Sequence, residues 1–387
     1  MNELKKLMKN NIEKFGMVIA LAGLILIFSV LTGGTILSPL NITNLIMQNS
    51  YIIILAIGMV LVIITGEIDL SVGSVAAFVG AVAGVLLINL ELSVYIAIPL
   101  ALLTGALIGA WHGFWIAYMK IPAFIVTLAG MLLFRGLTMV TLGGRTLAPF
   151  PAEFRTISSQ FIDDWFNGNE YHLLTIVIAA VAILSYVVYE VMRRRKNIEL
   201  NISVESNGLF IAKLVFIALV MVAFTERMAS YAGLPYIFFL LLALVLGYTF
   251  FTNKTVSGRH VYAVGGNEKA AQLSGVKSQK VKFWVFVNMG VLSAVSGLMF
   301  AGRLNAATPQ AGQLFELDAI AAAVIGGASL TGGAGTVVGA LIGALIMGLL
   351  DNGMSIMGVG IDWQQAIKAL VLLGAVAFDI INKNKKK

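Results

Sequence analysis

Not one of the 387 residues is a cysteine. Disulfides, thiolate zinc sites, iron–sulfur clusters and cysteine nucleophiles are excluded with it. Histidine is nearly as scarce: His112, His172 and His260 lie far apart and show no ligand spacing such as HExxH. Charge is the third shortage. Charged residues make up 12% of the chain, about half the ~25% of an ordinary soluble domain. Seven prolines are too few for a Pro-rich disordered chain. No G-x-x-x-x-G-K-[ST] loop occurs anywhere, so any ATP chemistry must be supplied by another chain.

Apolar residues fill the space that charge leaves. They account for 59% of the chain, and the mean hydropathy is +0.93. A transmembrane helix needs about 20 mostly apolar residues to cross ~30 Å of hydrocarbon. Windows of that kind fall near 15–31, 45–65, 72–89, 94–118, 122–142, 172–191, 209–225, 235–251, 282–301, 317–330, 336–350 and 365–381. The expected fold is all-α: a polytopic membrane helix bundle of about 10–12 transmembrane helices, with broken or re-entrant segments. The short 317–330 window is the candidate for half of a broken helix. The forty glycines suit close backbone approach between such helices. The first window follows basic residues but lacks an A-x-A-like site, and reads as a retained anchor.

The net charge of +7 is concentrated in four blocks: Lys5/Lys6/Lys9/Lys14, Arg193–Lys196, Lys254 to Lys282, and Lys383/Lys385–Lys387. Lys and Arg collect in cytoplasmic loops of membrane proteins, so these blocks and Lys120 mark one side. Twelve crossings with both termini cytoplasmic satisfy all of them, and no nucleic acid partner is needed to explain the charge. The segment 143–170 fits the other side, with Glu153, Asp163, Asp164 and Glu170 against Arg145 and Arg155, and with Pro149 and Pro151 breaking any continuous helix.

Charges within apolar stretches are costly and default to functional candidates. Glu67, Asp69 and Ser71 lie in the break before the third window; Asp318 opens the tenth; Asp351 and Asn352 close the eleventh. These six are the pathway candidates. Glu67 and Asp69 also suit capping of a helix that starts near Ser71, and Asp351 suits a membrane–water boundary. Arg135 sits inside the fifth window without a readable partner. An internal echo links Gly66-Glu-Ile-Asp-Leu-Ser-Val-Gly73 to Gly326-Gly-Ala-Ser-Leu-Thr-Gly-Gly333. Paired breaks of this kind flank central pathways in transporters.

Within the basic segment 252–282, six cations face one acid, Glu268. Asn267 is a good N-cap, Glu268 suits the first turn, and Gly275 is a good C-cap. The segment therefore encodes a two-turn helix, too short to stand alone in water. Ala270 and Ala271 give it a smooth face that a partner's groove can approach.

Three segments then resemble a known family. They are Thr65-Gly-Glu-Ile-Asp-Leu-Ser-Val-Gly-Ser74, Gly258-Arg-His-Val-Tyr-Ala-Val-Gly-Gly-Asn-Glu-Lys-Ala-Ala-Gln-Leu-Ser-Gly275 and Glu316-Leu-Asp-Ala-Ile-Ala-Ala-Ala-Val-Ile-Gly-Gly-Ala-Ser-Leu-Thr-Gly-Gly333. In order and spacing they resemble the permease subunits of bacterial monosaccharide ABC importers, the ribose/galactose/xylose group. An additional two-helix stretch at about 170–230 and Leu350-Asp-Asn-Gly-Met-Ser-Ile-Met357 are similar to the xylose-type branch. The resemblance implies one permease domain over 1–387 in the bacterial cell membrane, a homodimer, a twin ATPase on the cytoplasmic side and a sugar-binding protein outside. It implies no cofactor and no bond chemistry in this chain. The family's ATPase-contacting segment maps onto Gly258, Arg259, Gly265, Gly266, Asn267, Glu268, Ala270, Ala271, Leu273 and Gly275. The competing expectation is a secondary sugar carrier driven by an ion gradient through Asp69, Glu67 or Asp318.

Overall fold

A computed structural model describes residues 12–386 apart from 167, 169 and 203. Lys5, Lys6, Lys9 and Lys387 therefore lie outside the described residues. Among the described residues the regular structure is helical, with two isolated β-bridges, Leu147 to Ala307 and Phe161 to Pro235.

The helices are α1 (Ile12–Leu31), α2 (Pro39–Ile64), α3 (Val72–Gly84, continued by a π turn over Val85–Asn89), α4 (Val94–Ala117), α5 (Ala123–Leu142), α6 (Ala152–Ser159), α7 (Leu173–Glu199) and α8 (Asn207–Ala229). They continue with α9 (Tyr236–Lys254), α10 (Val256–Gly266), α11 (Glu268–Leu273), α12 (Ser278–Leu304), α13 (Phe315–Ile325), α14 (Val337–Ile356) and α15 (Ile361–Lys386). Among the described residues nine are long and apolar enough to cross a membrane, and Gly16–Leu31 is a shorter apolar helix. The chain is a multi-pass membrane protein.

The hub is α2. It opens on Ser38-Pro39, where proline at the first position costs no hydrogen bond, and 89% of its apolar window is buried. A helix apolar all round belongs inside a bundle rather than at its edge. Around it pack α12, α13, α14 and α9. The tightest helix pair is α4 with α12. Gly105, Gly109 and Gly113 form a stripe at four-residue spacing, and a Cβ on Gly109 would sit 2.4 Å from the Phe286 carbonyl. Small residues at this spacing let two backbones touch, which substitutes in lipid for the missing hydrophobic drive.

At the other extreme stands the α7–α8 pair, the additional stretch at 170–230. Only 6% of the α8 window is buried. The two helices form a hairpin on the outside of the bundle, tied at its turn by Lys213 to Glu190 (2.7 Å) and by Arg194 to Asn207 (2.6 Å).

Two expectations change. The window 317–330 is a true half-helix: the eleven residues of α13 rise about 16 Å at 1.5 Å each, half of the hydrocarbon thickness. Irregular segments, 305–314 before it and 326–336 after it, complete its path. Such segments survive at membrane depth only when buried in protein. The segment 252–282 is also not a loop, since α9, α10, α11 and α12 share it and leave only short joints.

Candidate functional site

The three recognisable segments meet at one end of the bundle, the end that carries the basic residues. Here α2 finishes at Ile64, and Gly66 leaves it with φ +80°, in the left-handed region that glycine occupies without strain. The 326–336 segment arrives beside it, with Gly332 and Gly333 also at positive φ. The Gly333 amide donates to the Ile64 carbonyl at 2.8 Å, and the Tyr262 hydroxyl from α10 donates to the Gly335 carbonyl at 2.8 Å. Gly265, near the end of α10, is pressed between them. A Cβ on Gly265 would fall 1.6 Å from the Ile64 carbonyl oxygen and 2.8 Å from the Gly333 nitrogen. No side chain fits that space. The neighbouring Gly266 has nothing within 4 Å of its hypothetical Cβ, so the two adjacent glycines differ in kind. The echoed segments 66–73 and 326–333 thus lie side by side at their glycines, on the same end of α10.

Beyond the joint, α11 forms as its caps dictate. Asn267 accepts from the Ala270 amide at 3.0 Å. At the far end Gly275 has φ +85°; its amide donates to the Gln272 carbonyl at 2.9 Å and the Val276 amide to the Ala271 carbonyl at 3.0 Å. That bond pair is a Schellman ending, which satisfies the last carbonyls of a helix. The helix has six residues, about 1.7 turns and close to the two expected. The two alanines also separate: Ala271 is buried inward at 6% exposure, while Ala270 stays exposed. The outward face is instead marked by Leu273, 91% exposed. Arg259 is exposed on α10 and Gly258 is buried at the α9–α10 elbow, where Thr255 caps α10 through the Gly258 amide at 3.0 Å.

Lys282 ties α11 to the bundle. Its ammonium donates to Glu268 at 2.9 Å and to Glu67 at 2.8 Å. Glu67 therefore does not cap α3. Asp69 comes closer to that role, accepting from the Ser71 amide at 2.8 Å and the Ser71 hydroxyl at 2.6 Å, one residue before α3 begins.

Halfway along α2 is a second gathering. Tyr51 stacks on Phe315 with centroids 4.1 Å apart, and Phe300 meets both rings edge-on. Glu316 is 7% exposed, and its Oε2 finds no hydrogen-bond partner. Arg135 holds the unwound approach to α13 by donating to the carbonyls of Ala311 (2.8 Å) and Gly312 (3.2 Å). Its partner is backbone rather than a carboxylate, an arrangement no residue pattern advertises.

The opposite end has its own cluster. Lys368 on α15 bridges Asp318 on α13 (2.9 Å) and Asp351 on α14 (3.2 Å). Asp351 is thus part of an interior triad, not a free boundary residue. Asn352 exchanges two amide bonds with Asn41, at 2.8 and 3.0 Å. A cavity of about 360 Å³ opens here, lined by Gln48, Asn49, Asp351, Asn352 and Ser355. The six pathway candidates therefore separate into three places: Glu67 at the basic end, Asp69 and Ser71 below the α3 start, and Asp318, Asp351 and Asn352 at the far end. Glu316, Lys282 and Lys368 were not among the site candidates read from the sequence. Each is a charge in or at an apolar window, and that signal alone would have found them.

Two helical paths thus break at adjacent glycine-rich segments, with α10 packed against both. A model of the "Branched-chain amino acid transport system / permease component" family matches residues 41–194 and 202–376. The chain belongs to this permease family and is a transport component. Among its relatives, the xylose transport system permease protein of Haemophilus influenzae is 40% identical over 380 residues, 98% of this chain and 99% of the relative. The protein of the same description in Escherichia coli K12 is 39% identical over 97% of this chain and 93% of its own length. The ribose import permease protein of Haemophilus influenzae is 35% identical over 89% of this chain and 87% of its own. No solved structure matches the chain.

Proposed function

We propose that this chain is the membrane subunit of an ABC importer that carries xylose or a closely related aldose into a bacterial cell. The cytoplasmic side is the basic end, which places both termini inside. Two copies enclose the pathway, a twin ATPase docks on α11, and a sugar-binding protein delivers cargo at the acidic end. The chain itself makes and breaks no bonds. The sugar assignment leans on the relatives: identity to the xylose permeases exceeds that to the ribose permease over a longer span.

The observation that carries the coupling role is the joint at Gly265. A push on the exposed face of α11 meets Gly265 and Gly266, and behind them the two broken segments that lead into α3 and α14. No flexible side chain lies between to absorb the motion. Lys282 adds a second link, from Glu268 on α11 to Glu67 on the first broken segment. Binding of ATP by the partner then biases the bundle between two states whose contacts differ, as any two-state coupling requires. No observation favours the ion-driven alternative, and Asp318 and Asp69, its candidate carriers, are held by Lys368 and Ser71.

Deleting 265–275 tests this reading. The variant is expected to insert in the membrane and to lose the ATPase in a pull-down; normal recovery of the ATPase would refute the docking role. Uptake of xylose that survives ATP depletion but collapses with an ionophore would establish the ion-driven carrier instead.

A further inference from the structure

A groove of about 830 Å³ runs between α9 and α12 at the basic end. Its walls are apolar: Leu244 and Phe251 from α9, Val281 and Val285 from α12, with Leu61 behind them. Its charged groups collect at one end, while Tyr248 and Asn288, hydrogen-bonded to each other, lie toward the other. Lys277 and Lys280 stand there beside His260, and no carboxylate lines any part of the groove. Neither lysine has an ion-pair partner among the described residues, whereas Lys282 two residues on has two.

The charges are also misplaced for helix stability. Lys277 and Lys280 sit at the N-terminus of α12, where the helix dipole presents its positive end and disfavours cations. An anion at that position relieves both repulsions. The groove's proportions then fix what carries the anion. Along α12 it extends from Lys277 to Asn288, eleven steps or about 16 Å at 1.5 Å per residue, close to one leaflet of a ~30 Å hydrocarbon core. Charge at the membrane surface with an apolar channel one leaflet deep is the shape of a phospholipid.

We propose that this groove is a binding site for an anionic phospholipid, with the phosphate on Lys277 and Lys280 and one acyl chain along α9 and α12. Basic pockets between membrane helices on the cytoplasmic side hold anionic headgroups in this way. The lipid would brace α9 against α12 just behind the elbow at Gly258 and the start of α10. Both lysines also line the adjoining cavity of about 870 Å³ under α11, which Glu67 and Glu268 share.

The test is native mass spectrometry of the full-length protein, delipidated and titrated with phosphatidylglycerol or phosphatidylcholine. Phosphatidylglycerol is expected to bind at least tenfold more tightly. The Lys277→Gln/Lys280→Gln double variant should lose that preference. Gly247→Phe fills the groove without changing charge, since nothing lies within 4 Å of a Cβ there, and should weaken both lipids. Equal binding of the two lipids by the unaltered protein would overturn the proposal even if the variants fail to fold. So would a folded double variant that keeps the preference. A Gly247→Phe variant that changes the monomer–dimer ratio and leaves lipid binding intact would make the groove a subunit interface instead.

Discussion

The two ends of the bundle use the same device, a lysine bridging two carboxylates from different segments, in different surroundings. At the acidic end the side chains of Asp318, Lys368 and Asp351 are 7%, 17% and 26% exposed. At the basic end Glu67, Lys282 and Glu268 are 20%, 15% and 41% exposed. A buried pair broken on one side leaves an uncompensated charge and costs about 3–5 kcal/mol, whereas exposed pairs are worth about 0–1 kcal/mol. The acidic triad therefore fastens α13, α14 and α15 together. The basic one holds a six-residue helix against the bundle weakly enough to move. Firmness at the basic end comes from backbone contact at glycine, not from charge.

That contrast breaks most visibly at the glycine joint. Gly265→Ala forces two backbones apart and is expected to reduce ATP-driven uptake in reconstituted vesicles by at least about a hundredfold, roughly 2.7 kcal/mol of lost coupling. Gly266→Ala, one residue on, should transport within a few-fold of the parent. Equal defects in the two would remove the joint from the account.

Lys368→Met acts on stability rather than on transport, because it leaves two carboxylates facing each other. It should destabilise the detergent-solubilised protein by about 3–5 kcal/mol, read as a fall in Tm. The Asp318→Asn/Lys368→Met/Asp351→Asn variant, with the charge removed altogether, should recover much of that loss. Glu268→Gln, which removes only the exposed link to α11, should cost about 1 kcal/mol or less in the same melt yet lower the ratio of sugar moved to ATP hydrolysed. A Tm loss matching that of Lys368→Met would erase the distinction between the ends.

The smallest effect lies in the acidic segment before α7. Burial opposes the charge of Asp164, but the amides of Leu173, Phe166, Leu174 and Gly168 donate to it and bring its pKa down to about 2. A depressed carboxylate stabilises the fold above its usual 3.8 and gives that contribution up as pH falls toward 2. Protection of the amides at the start of α7, relative to the unfolded chain at the same pH, should thus be flat from neutral pH to about 4 and fall only below it; Asp164→Asn should lower protection at neutral pH and flatten the profile.

Local features were legible in the sequence and distant ones were not. The caps of α11 depend on residues three to five apart, so Asn267 and Gly275 announced them. The half-helix α13 was visible as a window too short to cross. By contrast Lys282 and Glu67 are 215 residues apart and Lys368 and Asp318 are 50 apart. A lysine near an apolar window says that a partner exists, not which one. Gly265 was singled out by resemblance, but only the packing separates it from Gly266.

The central claim is that α11 and the two broken segments move as one body when ATP binds. A chain with no cysteine accepts introduced labels cleanly. Spin labels at Leu273 and Ala334, both exposed, report across the joint; labels at Leu273 and Met119 report from α11 to the end of α4. In the complex with its ATPase, ATP should leave the Leu273–Ala334 distance unchanged and shift the Leu273–Met119 distance by several ångströms. A Leu273–Ala334 distance that changes as much as the other would show that α11 moves without the broken segments, and would contradict the account.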